Sequence, residues 1–97
     1  MPKGYWIANA IVHDAETYER YKAANAAPFA RHGARFLVRA GTQETREGTV
    51  FPRTVVIEFP SYASAKACYD DPDYQAAKAI RAPISDGNLI IIEGYDD

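Results

Sequence analysis

Four short segments of the chain combine aromatic and β-branched residues with alternation along the sequence, the pattern of strands rather than helices. They are residues 5–12, 34–41, 52–59 and 89–94. The first, YWIANAIV, is too short for a stable isolated helix and rich in residues that favour strands. Because a strand directs successive side chains to opposite faces, each segment is predicted to have two distinct faces.

A longer segment after the first strand carries apolar and aromatic residues at spacings of three and four, the pattern of a helix. Asp14 is a good N-cap for it, and Gly33 lies where the helix should stop. One face is formed by Tyr18, Tyr21, Asn25, Pro28 or Phe29, and His32. Pro28 is expected to kink or split this helix, because its ring removes a backbone donor and clashes with the preceding turn.

A second helical region precedes the last strand and is predicted to be broken in two. Ser61 or Ser64 caps its first part. Asp71 caps the second part, with Pro72 at the first helical position. Gly87 is expected to break the chain before the last strand begins.

The element order is strand, helix, strand, strand, helix, strand. With right-handed crossovers, this order gives a four-stranded antiparallel sheet with the helices on one face, a ferredoxin-like α+β fold. The polar stretch 42–48 is expected to make the second and third strands antiparallel neighbours. A chain of 97 residues is expected to form a single domain, residues 1–97.

Several strands are apolar on both faces, although the helices can cover only one face of the sheet. Val55 and Ile57 oppose Val56, and Ile90 opposes Ile91. A second copy of the chain would cover the remaining face, since a two-fold dimer buries the same apolar patch on each copy. The sequence therefore predicts a homodimer that packs sheet against sheet.

A carboxylate, Glu58, interrupts the apolar third strand and needs water, a partner or a function. Alternation directs Trp6, Phe36, Val38, Val55 and Ile57 toward the helices. It places Glu58 on the face turned toward the partner copy, together with Asn9 and Arg39. One hairpin register pairs Arg35 with Glu58 and Arg39 with Thr54, whereas a shift of two residues brings Leu37 opposite Glu58. The sequence leaves both registers open.

Five short motifs carry a resemblance to a known family. They are GYWIA, FLVRAG, EG with RTVVIEFPS, CYDDPDYQ and IIIEG. Through them the chain resembles the DUF1330 family of small bacterial proteins, within the dimeric α/β-barrel superfamily, over nearly its whole length. The resemblance implies a ferredoxin-like monomer whose sheet packs on that of its mate to form a barrel. Related barrels include cofactor-free monooxygenases, haem-handling enzymes and lactone isomerases, so the superfamily supplies an analogy for activity and no more.

The resemblance also places the polar pattern of the family on particular residues of this chain. These are Arg39, Arg53, Glu58, Ser61, Tyr69, Tyr74 and Gln75. One departure is visible after the second strand, where the family usually has Arg-Gly-Gly and this chain has Arg39-Ala40-Gly41. The departure weakens the expectation that the backbone approaches a neighbour closely there.

The net charge and the absence of certain motifs limit the partners and cofactors expected for this protein. The net charge of −2 lacks the basic patch that phosphate binding requires, so no nucleic-acid partner is expected. No stretch has the features of a signal peptide or the length of a membrane span, and the lone Cys68 forms no internal disulfide, so a cytoplasmic protein without membrane contact is expected. Neither metal-ligand spacing nor a glycine-rich nucleotide motif is present, so no metal or other cofactor is expected.

These observations predict a pocket between sheet and helices for a small polar or anionic molecule. The candidate catalytic residues are Glu58 and His32, and the candidate ligand-binding residues are Arg39, Asn9, Tyr21, Tyr69 and Tyr74. An enzyme with this pocket would carry out cofactor-free oxygenation or proton transfer, as in an isomerase, with Glu58 or His32 as the base. His32 also falls at a helix end, where an imidazole commonly caps carbonyls. The alternative is a non-catalytic dimeric module in which Arg39 and Glu58 neutralise each other.

Overall fold

The computed structural model describes residues 2–95. Its elements are β1 (Gly4–Val12), α1 (Ala15–Arg31), β2 (Arg35–Arg39), β3 (Arg53–Phe59), α2 (Tyr62–Asp70), α3 (Pro72–Arg81) and β4 (Ser85–Glu93). A short 3-10 turn, Ala82–Ile84, joins α3 to β4. This order confirms the ferredoxin-like α+β fold, with the second helical region divided into α2 and α3. Within the described residues, no helix has the length and apolar character needed to cross a membrane.

The strands form one antiparallel sheet in the order β2-β3-β1-β4. Trp6, in the central strand β1, lies opposite Ile57 of β3 and Ile91 of β4. Its indole Nε1 donates to the Ala65 carbonyl of α2 at 2.8 Å. The core therefore lies between this face of the sheet and the helices, where Trp6 contacts an aromatic cluster that includes Phe29.

Helix α1 begins as the sequence predicts, because the Asp14 carboxylate accepts from the Thr17 amide at 3.1 Å. It ends before Gly33, which has a φ of +74°. Of the two expectations for Pro28, a kink or a split, the split is wrong, because α1 continues to Arg31. Pro28 is fully buried, and its packing against the core offsets the one backbone donor that the ring removes.

Serine and aspartate caps produce the break between α2 and α3. Ser61, rather than Ser64, is the N-cap of α2, and its hydroxyl accepts from the Ser64 amide at 3.0 Å. Asp71 caps α3 by accepting from the Asp73 amide at 2.8 Å. The extended backbone of Asp71, with a ψ of 128°, turns the chain between the two helices.

Strand β4 begins earlier than the sequence predicts, at Ser85, and Gly87 lies inside it rather than before it. A Cβ at Gly87 would lie 2.4 Å from the Asn9 carbonyl oxygen and 2.7 Å from the Ala10 Cα. The glycine is therefore needed for close pairing of β4 with β1, and it does not mark a break.

A β-bulge in β2 changes which residues face the helices. Arg35 lies opposite Glu58, as one of the two registers predicts, but the pairing shifts at Leu37. Beyond the shift, Val38 lies opposite Val56, and Arg39 lies opposite Val55 rather than Thr54. Val55 is buried on the helix side. The predictions for Val38 and Arg39 were therefore wrong, because the extra residue of the bulge exchanges the two faces: Arg39 faces the helices and Val38 faces away.

The face turned away from the helices carries an apolar row that we call the outer row: Val38, Val56, Ile7 and Ile90, side by side across the four strands. Ile90 is 52% exposed and Val38 is 41% exposed. The helices do not cover this surface, which agrees with the two-faced apolar pattern of the sequence.

Candidate functional site

A cavity of about 420 Å³ lies between the helix side of the sheet and helices α1 and α3. Its floor follows from the successive inward positions of β1, which are Trp6, Ala8 and Ala10. The indole fills one end of the layer between sheet and helices, whereas the two alanines leave space at the other end. Gly87, beside Ala10 in β4, adds no side chain to that space.

Five aromatic side chains contribute to the walls. They are Tyr18, Tyr21 and Phe29 from α1, Phe36 from β2 and Tyr69 from α2. Adjacent rings contact one another, with the centroids of Tyr18 and Tyr21 5.1 Å apart and those of Phe29 and Phe36 5.7 Å apart. Such walls favour a flat, apolar ligand body.

Positive charge dominates the polar lining of the cavity. Its cations are Lys22, Arg39, Arg53, Lys78 and Arg81, and its carboxylate is Asp86. Lys22 pairs with Glu19 at 3.1 Å, and Asp86 bonds to His13 at 2.8 Å. Within residues 2–95, the other four cations have no carboxylate partner within 4.0 Å.

Each of these four cations instead lies over an aromatic ring. The distances from the charged group to the ring centroid are 4.0 Å for Arg39 over Phe36, 4.9 Å for Arg53 over Tyr18, 5.4 Å for Lys78 over Tyr69 and 5.5 Å for Arg81 over Tyr21. A ring face attracts a cation but does not neutralise it. The four side chains are therefore positioned by the walls while their charge stays available to a bound molecule.

Arg53 is the clearest sign of a missing acceptor. Its Nε is buried, and among the residues that the structure describes it has no hydrogen-bond partner. Buried polar atoms in proteins are nearly always paired, so an orphaned donor in a cavity wall calls for an explanation. Because this atom is closed off from the cavity in the structure, an acceptor atom of a ligand would reach it only with a shift of the Arg53 side chain.

A buried tyrosine pair lies at the α1–α3 side of the cavity. The hydroxyls of Tyr21 and Tyr74 are 3.1 Å apart, and the Arg81 Nη2 donates to the Tyr74 hydroxyl at 3.2 Å. Tyr74 is fully buried, and this burial raises the pKa of its hydroxyl far above the ordinary value. Tyr74 is therefore neutral and keeps its proton.

Three of the residues predicted to bind a ligand line this cavity: Arg39, Tyr21 and Tyr69. Tyr74 lies behind the lining, where its hydroxyl contacts that of Tyr21. Arg39 reaches the cavity only because of the bulge in β2, so its position there differs from the predicted place beside Glu58.

Glu58 and Asn9 lie on the opposite face of the sheet, so the structure does not bring them together with the cavity residues. The Glu58 carboxylate is 3.3 Å from the Lys3 Nζ, and Glu58 lies opposite Arg35. The Asn9 side chain donates to the Phe51 carbonyl at 2.9 Å and accepts from the Phe51 amide at 2.8 Å. These bonds hold the chain that enters β3 against β1.

His32 lies at the end of α1 away from the cavity, where its Nε2 is 2.9 Å from the Asp71 carboxylate. The same carboxylate accepts from Arg31 at 2.8 Å. The arrangement links the end of α1 to the start of α3. Catalytic roles for His32 and Glu58 stay predictions, and in the structure neither lines the cavity. Residues 2–95 contain no cluster of three histidine, cysteine or acidic side chains that could hold a metal.

Sequence reasoning named Tyr74 of α3 as a candidate but missed the two cations that α3 contributes to the cavity. Lys78 lies four residues after Tyr74, and Arg81 lies three residues after Lys78, so all three share one helix face. This periodicity was a usable signal, since two cations on the face that also carries a buried tyrosine point inward rather than to solvent. Arg53 was named by the family resemblance but was not chosen as a candidate.

The comparisons with known proteins give a family and a fold. The model of DUF1330, described as a domain of unknown function, matches residues 3–95. No match to this sequence was found among the curated proteins.

Among solved structures, a protein of unknown function from Rhodopseudomonas palustris is 18% identical, with a TM-score of 0.78 over 99% of this chain and 85% of that one. SnoaB, a cofactor-independent oxygenase from Streptomyces nogalater, is 13% identical, with a TM-score of 0.69 over 100% of this chain and 97% of that one. A dimeric ferredoxin-like protein of unknown function from Thermobifida fusca is 21% identical, with a TM-score of 0.63 over 95% of this chain and 91% of that one. At these identities the likeness shows the fold alone.

Proposed function

This chain belongs to the DUF1330 family, and we propose that it binds a small planar organic anion in the cavity between sheet and helices. The anion would be an aromatic or enolic acid. The observation that carries the proposal is the set of four cavity cations without a carboxylate partner in residues 2–95. An anionic ligand supplies the charge that the protein does not.

The energetics favour such a ligand. Arg53, Lys78 and Arg81 are half-buried, so each has lost part of its hydration, and an ion pair formed there is less screened than one in water. The forked guanidiniums of Arg39 and Arg53 match a carboxylate in two-point contact. A shift of the Arg53 side chain on binding would also let its orphaned Nε gain an acceptor.

The size and walls of the cavity set the class of ligand. A volume of about 420 Å³ falls within the range for small-molecule sites. The aromatic walls suit a flat ring system, and the cations suit one or two anionic groups on it. This combination favours an aromatic acid over a sugar or a long acyl chain.

We also propose that the binding unit is a homodimer whose outer rows pack against each other. The exposure of Ile90 and its neighbours supports this, since an apolar row across a whole sheet is a common interface. Similar proteins of this fold are described as dimeric, including the one from Thermobifida fusca. A two-fold arrangement would bury the same row on both copies.

For activity, the finer proposal is cofactor-free oxygenation by dioxygen, or isomerisation, of the bound anion. SnoaB, of similar fold, is described as a cofactor-independent oxygenase. The four cations would stabilise the enolate or phenolate form of a substrate, the form from which either reaction starts. The alternative is a non-catalytic binding module, which uses the same cavity and differs in showing no turnover.

Calorimetric titration with 2-naphthoate and its neutral analogue 2-naphthamide tests the binding proposal. We expect the wild-type protein to bind the carboxylate about tenfold more tightly or better, since one charge-assisted contact is worth roughly this factor. Arg53→Gln should lose about tenfold in affinity for 2-naphthoate. Arg20→Gln, which removes an equal charge from the exposed side of α1, should bind like wild type.

Equal affinity for the acid and the amide would contradict the proposal, as would equal losses in the two arginine variants. Glu58→Gln gives a further control, because Glu58 lies on the other face of the sheet. We expect its 2-naphthoate binding to match wild type. A loss in that variant would instead support the sequence-based role for this carboxylate.

Light scattering coupled to gel filtration tests the dimer. Ile90→Lys places a charge in the outer row and is expected to convert a dimer of the wild-type chain to a monomer. Ala26→Lys adds the same charge at an exposed position of α1 and should leave the dimer intact. A wild-type chain that is monomeric at 100 micromolar, about the upper end of weak association, would overturn this part of the proposal.

A further inference from the structure

The buried hydroxyl of Tyr74 contacts two neighbouring groups, and its own proton also needs a hydrogen-bond acceptor. Arg81 donates to it, because a guanidinium carries only donors. Its second neighbour is the Tyr21 hydroxyl at 3.1 Å. Since Tyr74 is fully buried, its own proton must find an acceptor inside the protein or cost free energy.

The need for this acceptor determines which of the two tyrosines donates the hydrogen bond between them. If Tyr21 donated to Tyr74, the Tyr74 oxygen would accept two bonds, and its proton would have no acceptor among the described residues. If Tyr74 donates to Tyr21, every polar atom of Tyr74 is paired. The second arrangement is favoured, because Tyr21 lines the cavity and its own proton can meet a ligand there.

The chain of bonds then runs from Arg81 through Tyr74 to Tyr21, with each hydroxyl accepting one proton and donating another. A charged donor at the start of such a chain polarises the hydroxyls that follow, and it strengthens the last one as a donor. The Arg81 guanidinium also lies over the Tyr21 ring, 5.5 Å from its centroid. The chain of bonds ends at Tyr21, whose side chain lines the cavity.

We propose that Tyr21 donates this hydrogen bond to an anionic oxygen of the bound molecule, so that the cavity selects phenolates and enolates over their neutral parents. Tyr74 and Arg81 are positioning residues that act through Tyr21. The inference rests on the proposed binding of an anion in the same cavity, and it narrows the ligand class to compounds with an ionisable phenol or enol. Tyr21 is thereby a hydrogen-bond donor to the ligand as well as part of the cavity wall.

The probe for this inference is 4-nitrophenol, whose phenol and phenolate forms differ in visible absorption. Titration of the bound probe gives its preference for the phenolate form, and we expect about tenfold preference in the wild-type protein. Tyr21→Phe keeps every cavity cation, so the part of the preference that it loses measures the Tyr21 hydroxyl. We expect a loss of about fivefold, with the remainder due to the cations. Tyr74→Phe should reduce it by about threefold, because the polarising chain is cut while the Tyr21 hydroxyl remains.

Tyr62→Phe is the matched control, since Tyr62 is a half-buried tyrosine of α2 outside the cavity lining. It should keep the wild-type preference. Thermal melts followed by circular dichroism establish folding, and Tyr21→Phe decides the inference even if Tyr74→Phe does not fold. Tyr21→Phe with unchanged preference overturns it, as does a folded Tyr74→Phe identical to wild type in preference.

The 2-naphthoate titration separates this inference from the proposed function. A protein that binds 2-naphthoate through Arg53 but shows no preference for 4-nitrophenolate overturns the role of Tyr21 and leaves anion binding in place. A protein that binds neither probe overturns both. Retained phenolate preference in wild type and Tyr62→Phe, with loss in Tyr21→Phe, supports the proposal.

Discussion

Helices α1 and α3 pack side by side, and the charged side chains at the two ends of the pair have different partners. At one, which we call the closed end, Arg31 and His32 at the end of α1 bond to the Asp71 carboxylate at the start of α3. At the other, which we call the cavity end, Lys78 and Arg81 of α3 face aromatic rings. The same pair of helices thus carries a compensated cluster and an uncompensated one.

This difference separates charges that are paired within the protein from charges that we propose bind a ligand. At the closed end the Arg31 guanidinium has the carboxylates of Asp71 and Asp73, so the cluster is complete without any other molecule. At the cavity end the rings hold the cations in place and no carboxylate in residues 2–95 neutralises Arg39, Arg53, Lys78 or Arg81. Charge balance, more than the presence of an ionisable residue, therefore indicates where the site lies.

The largest expected effect concerns Phe59, which packs against Trp6 and lies outside the cavity lining. Phe59 is fully buried, and its ring centroid lies 5.3 Å from that of Trp6. Phe59→Ala should lower the free energy of unfolding by about 3–5 kcal/mol, because it removes a large side chain and leaves a void. Urea unfolding followed by circular dichroism measures this loss.

The matched change at the cavity end is Phe36→Ala. Phe36 is only half-buried, and it borders space that is already open. We expect a clearly smaller loss of stability, with the larger effect on ligand affinity because Arg39 loses the ring that positions it. Equal losses of stability at Phe36 and Phe59 would remove the distinction between a packed and an open region.

The second prediction supplies the missing counter-ion at the cavity end. Ala10 lies opposite Arg53 in the pairing of β1 with β3, and both line the cavity. Ala10→Asp should place a carboxylate beside that guanidinium, since side chains of directly opposed residues are neighbours. The affinity for 2-naphthoate should fall about tenfold or more, as measured by calorimetry, because the new charge competes for Arg53 and repels the ligand.

Ala63→Asp is the control for net charge. Ala63 is exposed in the first turn of α2, where a carboxylate is compatible with the helix dipole. This variant should bind 2-naphthoate like wild type. If Ala10→Asp also bound normally, the cavity cations would not be what attracts the anion.

Local signals in the sequence were sufficient for the fold. The caps at Asp14 and Asp71 and the alternation of β1 and β3 depend on residues near one another in the chain, so they can be inferred without tertiary information. Gly87 shows the limit of such inference. Its role depends on the close approach of β1, which a single stretch of sequence does not reveal.

The bulge in β2 explains why the site was only partly predicted. In the sequence, the alternation from Phe36 through Val38 to Arg39 is unbroken, which places Arg39 on the face opposite to Phe36 and Val38. Nothing local marks Leu37 as the extra residue of a bulge. One inserted residue moves Arg39 from the face of Glu58 to the cavity, as a register slip would. Glu58 was conspicuous because it interrupts an apolar strand, yet such a pattern does not distinguish the two faces of a sheet.

The smallest expected effect tests the closed end and depends on pH. The Arg31 guanidinium, with further bonds from His32 and the Asp73 amide, holds the pKa of the Asp71 carboxyl well below its usual range. A carboxyl whose pKa is lower in the folded state contributes stability above its unfolded pKa of about 4 and loses it as the pH falls further. Wild type should therefore lose, below about pH 4, an increment of stability that Asp71→Asn lacks at every pH.

Thermal melts at pH 7 and pH 3 measure this increment as the difference in Tm between wild type and Asp71→Asn, which should shrink at the lower pH. Asp70→Asn, which changes the exposed neighbouring carboxylate, controls for general charge effects and should follow wild type. Binding of 2-naphthoate at pH 7 should be the same in all three proteins, because Asp71 lies at the other end of α1 and α3 from the cavity. A Tm difference that does not depend on pH would mean that capping of α3, and not the charge cluster, is what Asp71 contributes.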